Sequence, residues 1–242
     1  MRKGLLRVTD FLTWSGAALL LVLVLLFGWL RIQEWVFRHS AEQLFGEIQA
    51  VGFHTTFQQL DSVFERWHGS VSYGTPCSKE ACNFNIEIAE PITWRNDSRL
   101  IPALLSIYRT LGGHPAVARA AIRVRNGFVE AKRYGLSIEA PQGVAEKGRT
   151  LTYYVEANIL TKPRDETFDP DGLTTSRHPE YQIGSVGCLG CLEIHVFFTP
   201  SADLADVERL SRINFACLTR QHPCRTKEDI MPIAAREQQH PK

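Results

Sequence analysis

Hydrophobic residues along this chain first form one unbroken run and then become periodic. From Phe11 to Leu30 stand twenty residues without a charge, FLTWSGAALLLVLVLLFGWL. As a helix rising 1.5 Å per residue they span about 30 Å, the thickness of a bilayer's hydrocarbon core. Trp14 and Trp29 lie near the two ends and Trp35 just beyond, at the depths that indole rings favour. The run predicts a transmembrane anchor over 11–30 in the lipid bilayer, with residues 1–10 cytoplasmic. A buried core helix rarely carries so long an uncharged stretch. A cleaved signal peptide is the rival reading, with Arg2, Lys3 and Arg7 as its basic start. Its apolar core should be roughly 7–15 residues and end at small residues. Here GWLRIQEWVFRHS follows, bulky and charged, so the expected anchor is an uncleaved signal-anchor.

Beyond the run, Phe37, Leu44, Ile48 and Val51 recur at helical spacing. They predict a membrane-proximal stalk helix over 31–51 that lifts the domain off the bilayer. Gly52 interrupts it. Thr55 and Gln58 then match a capping box, opening a helix whose stripe is Phe57, Leu60, Val63, Phe64 and Trp67. Two strands follow, SVSYG and CNFNIEIA, the second alternating Phe84, Ile86 and Ile88 with polar residues. A helix across SRLIPALLSIYRTL gathers Leu100, Ile101, Leu104, Leu105, Tyr108 and Leu111, and Gly112-Gly113 stops it.

The sharpest local signal is the hairpin AAIRVRNGFVEAKRYG. Asn126-Gly127 suits a type I′ turn, in which both central residues need positive φ. A regular ladder from that turn sets Val124 opposite Val129, Arg123 opposite Glu130, Ile122 opposite Ala131 and Ala121 opposite Lys132. Arg119, Arg123, Arg125 and Lys132 then share one face, solvated or facing an anionic ligand or lipid headgroups. TLTYYVEANIL is another alternating strand. Thr161 to Gly187 shows no periodicity and many turn formers, so a long loop is expected. LEIHVFFT reads as a last strand, and ADLADVERLSRINFACL as a helix burying Leu204, Val207, Leu210 and Ile213.

The expected fold class is α+β: the anchor and stalk, then an antiparallel sheet of about six strands with helices packed on one face. The domain should occupy 52–233, with a disordered tail over 234–242.

Charge and cysteines narrow the setting. A net charge of +1 gives no basic footprint for nucleic acid. Arg2, Lys3 and Arg7 before the run outnumber Arg31 and Arg38 after it, which favours a cytoplasmic N-terminus. All six cysteines follow the run, in three close pairs: Cys77 and Cys82, Cys188 and Cys191, Cys217 and Cys224. An even number beyond an anchor reads as disulfides in an oxidising compartment, a periplasmic domain in a bacterium. Cys77–Cys82 and Cys217–Cys224 are favoured because each closes a short turn. Two alternatives use the same thiols. One is a zinc site built on CLGC and a second pair. The other is a thiol–disulfide redox centre at Cys188 and Cys191, which wants its first thiol at a helix N-terminus; here a strand pattern follows.

No nucleophile elbow, zinc helix or phosphate loop occurs. Asp165, Asp169 and Asp171-Gly172 approach a calcium loop, but the first ligand position falls on Thr167 and the twelfth on His178. No catalytic residue, cofactor or metal is therefore expected. In a eukaryotic source, Asn96-Asp97-Ser98 would match the N-glycosylation acceptor pattern.

The stretch AEQLFGEIQAVGFHTTFQQLDSVFERW leading into CSKEACNFNIEI resembles a layout of bacterial single-pass membrane-anchored proteins of uncharacterised activity. It covers roughly residues 10–90. The resemblance implies bacterial single-pass topology and no known activity, and the expected location is the bacterial inner membrane. The expected function is a binding or interaction module of the cell envelope with an envelope protein partner. The alternative is a tethered enzyme or redox protein, and a third reading is a pilin-like subunit, whose processing signature is missing. For the module, the loop over 161–187, with Phe168 and Tyr181, is the expected contact surface.

Overall fold

The computed structural model describes residues 2–52, 55–74, 77–90, 101–140, 151–160, 180–184, 191–198, 203–219, 224 and 226–239. The chain is α+β. One helix, α1 (Arg2–Ala50), runs 49 residues without a break, about 74 Å at the usual rise. Its side chains are exposed from Trp14 to Phe27, and it is long and apolar enough to cross a membrane.

The same helix changes character about three turns later. Phe37, Ala41, Leu44, Phe45 and Ile48 are buried, as is Val51 just beyond it, and α1 packs against the sheet. The expected stalk is instead a core helix. Its periodic apolar positions meet strands of the same chain, so the domain is not lifted away from the apolar run. Burying side chains of this size stabilises the fold by on the order of 10 kcal/mol in total.

After α1 come a 3-10 turn (Phe57–Leu60) and α2 (Asp61–Trp67). The cap sits one residue later than expected. The Thr56 amide donates to Gln59 Oε1 at 2.8 Å, while the Thr55 hydroxyl accepts from the Gly52 amide. Glu47 of α1 accepts from Trp67 Nε1 at 2.9 Å and pairs with Arg66, which fastens α2 to α1.

The strands are β1 (Val71–Tyr73), β2 (Ala81–Ala89), β3 (Ala116–Arg125), β4 (Phe128–Ala140), β5 (Leu151–Leu160), β6 (Glu180–Gly184) and β7 (Cys191–Phe198), with α3 (Ile101–Thr110) between β2 and β3. They form one seven-stranded sheet in the order β1-β2-β3-β4-β5-β7-β6. The first five make an antiparallel meander, but β7 lies parallel to β5. The expected six-stranded antiparallel sheet is therefore corrected twice. A seventh strand, β6, occupies part of the expected loop and pairs antiparallel with β7 at the edge. The remainder of that loop, with Phe168 and the calcium-like aspartates, lies outside the described residues, as does Asn96-Asp97-Ser98.

The Asn126-Gly127 turn forms as expected, both residues at positive φ (54° and 80°). The register beyond it does not. A bulge between Arg123 and Val124 sets Arg123 opposite Ala131 and Ile122 opposite Lys132, leaving Glu130 as the extra residue. A slip of one position moves every later side chain to the other face. Lys132 therefore joins the buried row of Tyr134, Leu136 and Ile138 instead of the cationic stripe. Its Nζ donates to the main-chain oxygens of Ile48, Gln49 and Val51 at 3.1, 2.7 and 2.5 Å. Three such bonds use all three hydrogens of an ammonium, placed where the C-terminal carbonyls of α1 lack helical partners. Burial pushes the Lys132 pKa down to about 8. The stripe is spent in other ways too: Arg119 pairs with Glu87 at 2.8 Å, and Arg123 donates to Asn83.

The C-terminal segment packs on α1. It holds α4 (Leu204–Leu210), a 3-10 turn (Phe215–Leu218), the single turn α5 (Lys227–Ile230) and α6 (Pro232–Gln239). The expected single helix breaks after Leu210, where Asn214 caps the new turn by accepting from Ala216. The expected disordered tail is helical as far as Gln239, with Ala234 and Ala235 fully buried.

Candidate functional site

Two places in the fold gather polar chemistry. The first is a buried acid cluster where the apolar run of α1 ends. Gly112 at φ 84° ends α3, and Gly113 then lies against the Tyr108 ring, where a Cβ would come within 2.3 Å. That contact aims the phenol inward. Tyr108 donates to Glu90 Oε2 at 2.8 Å and lies 3.4 Å from Glu34 Oε1. Glu34, Glu90, Tyr108 and His114 are all at most 3% exposed. Arg31 pairs with Glu34 at 2.6 Å, donates to the Leu111 oxygen at 3.2 Å, and lies over the Phe27 ring.

Burial raises both carboxyls; Glu90 is pushed up to about 8, its bond from Tyr108 opposing the rise only in part. Arg31 favours the anionic form of Glu34, so Glu90 is the carboxyl that holds its proton near neutrality. The cluster clasps α1, α3 and the end of β2 together. Sequence reading missed it. The available signals were Glu34, a lone acid among Ile32, Trp35 and Val36, and the Gly112-Gly113 stop.

The second place is a groove of about 880 Å³ between α1 and the C-terminal helices. Phe45 and Ile213 form its buried floor, flanked by Phe215. Arg38, Arg209, Arg212 and Arg236 line it, together with Glu42 and Glu208. Arg38 is fixed by Glu42 at 2.7 Å and by the Thr219 hydroxyl at 3.0 Å. Behind the floor, the Tyr134 hydroxyl donates to Ser211 Oγ at 2.7 Å and accepts from Gln49 Nε2 at 2.9 Å. The groove can take an extended polar chain: its α1 wall from Arg38 to Gln49 is about 16 Å long, room for roughly five extended residues. No histidine or cysteine is among its lining residues.

The cysteines divide between described and undescribed places. Cys77–Cys82 and Cys217–Cys224 are disulfides, with Cα atoms 4.3 and 5.3 Å apart. The first bridges the loop beside the hairpin tip, where Gly127 donates to the Glu80 oxygen. The second ties the 3-10 turn to the segment before α5. Cys188 lies outside the described residues, and Cys191 opens β7 opposite Thr152. His195 stands four places along that strand, between Glu156 and Gln182 in the ladders. No cluster of metal-ligating side chains occurs among the described residues.

Comparison with family models, with curated proteins and with solved structures finds no match to this chain.

Proposed function

We propose that this chain is a single-pass membrane protein of the bacterial inner membrane, its N-terminus cytoplasmic. On this reading its α+β domain, with the helices gathered on one face of the sheet, is periplasmic. It acts as a binding module of the cell envelope. The groove between α1 and the C-terminal helices is its recognition surface. The observation that carries this reading is the groove's make-up: apolar residues framed by arginines with Glu42 and Glu208 among them, the mixture of a protein interface. Its lining offers shape and charge, without a nucleophile paired to a base. The rival, thiol–disulfide exchange at Cys188 and Cys191, is less well supported. Cys191 begins a strand, whereas a reactive thiol of this kind draws its acidity from a helix N-terminus.

The test uses the full chain in its native membranes. A photo-reactive residue at Ala205, on the groove wall, should give partner adducts, and one at Phe128 on the hairpin should not. Arg212→Glu with Arg236→Glu, both at exposed positions, should abolish the Ala205 adducts without lowering expression. Adducts that persist in the double variant would remove the groove from the interface. Protease shaving of intact spheroplasts checks the orientation.

A further inference from the structure

The acid cluster fixes where α3 lies along α1. Arg31 reaches the Leu111 oxygen, and Tyr108 reaches Glu34. Both α1 residues fall within the first turn after Leu30, about 6 Å along the axis. The last turn of α3 is therefore level with the end of the apolar run. At that level α1 has two faces. Glu34, Phe37 and Ala41 point into the domain and are buried. Ile32, Trp35 and Val36 point out and are 60%, 62% and 46% exposed. Ile107, in the last turn of α3 at the same level, is 52% exposed.

Among the other domain residues whose side-chain exposure is described, the exposed large hydrophobics are Tyr73 and Phe128. Phe128 belongs to the opposite end. It bridges to Thr56, and its neighbour Val129 donates to the Thr55 oxygen, past the C-terminus of α1. From Leu30 to Ala50 the helix covers about 30 Å. Exposed apolar side chains thus gather on two elements at one end of the domain, continuous with a helix able to cross a bilayer.

We infer that this ring is a lipid-contacting surface: the headgroup–acyl boundary of the bilayer covers Ile32, Trp35, Val36 and Ile107, and α3 lies at the interface. The inference rests on the reading of α1 as a membrane anchor. Continuity with that anchor selects lipid as the occupant. The chemistry agrees: the ring pairs aliphatic side chains with Trp35, whose indole suits the boundary. The clasp of Glu34, Tyr108 and Glu90 holds α3 at this depth.

The test places a nitroxide at Ile107→Cys or at Phe128→Cys in the full chain, reconstituted into phosphatidylcholine vesicles. Collisional relaxation by oxygen, which concentrates in lipid, is compared with relaxation by a water-soluble nickel chelate. Oxygen should dominate at 107 and nickel at 128, inverting the accessibility ratio between the two sites. Nickel dominating at both sites, in a chain that floats with the vesicles, would overturn the lipid contact and leave the anchor intact. A chain that does not float would overturn the anchor reading itself. Dipolar broadening at 107 that vanishes on dilution with unlabelled chain, without oxygen contact, would assign the ring to a second copy and also overturn the proposal. Both substitutions fall on exposed side chains, so folding is retained.

Discussion

The Lys132 ammonium donates to the main-chain oxygen of Val51 at 2.5 Å, joining residues 81 positions apart. With Ile48 and Gln49 it completes a cap that α1 does not build from its own sequence. Lys132→Met keeps the stem's bulk and removes all three donors. Hydrogen bonds to a charged group, and the carbonyls left behind, set the cost at about 2–3 kcal/mol. Urea unfolding of the full chain in detergent micelles measures it. A loss no larger than the roughly 0.5 kcal/mol of an ordinary surface change would show that water serves as the cap.

Stability should fall as pH rises from about 5 to 8. Glu90 has its pKa raised from 4.5 to about 8 by burial. The folded state then holds a proton that the unfolded chain has released, so the contribution is complete below the unfolded value and is lost as pH climbs through the folded one. Glu34, also raised, acts in the same direction. Lys132, lowered from 10.5 to about 8, adds stability only as pH rises above 8 and leaves this window undisturbed. Melting curves at pH 5.5 and 8 should differ by several degrees in the parent chain and much less in Glu90→Gln. Equal slopes in the two chains would mean that Glu90 does not hold the proton.

Gly113→Ala tests the aim of the phenol. Its Cβ would sit 2.3 Å from the Tyr108 ring, so the ring must move away from the carboxyls. Overpacking of this kind costs about 1–3 kcal/mol. The expected signature is double: a lower melting temperature and a changed pH slope, as in Tyr108→Phe. A pH slope left at the parent value would mean that the ring gives way without losing Glu90.

The two disulfides should differ in access. Cys77 is exposed, whereas Cys217 and Cys224 are buried. Mild reductant followed by alkylation and mass mapping should label Cys77 and Cys82 first. Cys217 and Cys224 should react only once denaturant is added. Replacing either pair with serines should cost about 2 kcal/mol, because each closes a short loop. Labelling of Cys217 under native conditions would show that the C-terminal segment opens.

What the sequence made legible was local. The Asn126-Gly127 turn, the alternation of Phe84, Ile86 and Ile88, and the close cysteine pairs each depend on neighbours a few positions apart. What escaped depends on distant partners. Phe37, Leu44 and Ile48 carry the same spacing on a free stalk as on a core helix; the sheet decides between them. The bulge at Arg123 and Val124 leaves no mark in the pattern, yet it sends Lys132 inward. β6 has only five residues, pairs with β7 alone and shows no clear alternation, so its strand character comes from its neighbour. Asn214 breaks the expected last helix by offering its side chain to Ala216, and the long-range bond from its amide to the Asp229 oxygen holds it there. Glu34, Glu90 and Tyr108 come from three separate elements, so their meeting has no sequence signature.

The unbroken run of α1 from exposed apolar surface into the domain core also governs how the chain could be shed. A protease cutting between Phe37 and Ala50 would not free an intact domain. It would leave part of one core wall with the apolar run and uncover Tyr134, against which Phe45 packs, to water. The released piece would expose apolar surface worth a large share of the roughly 5–15 kcal/mol that holds a domain folded. Release by clipping within the buried half of α1 would therefore unfold the piece it frees.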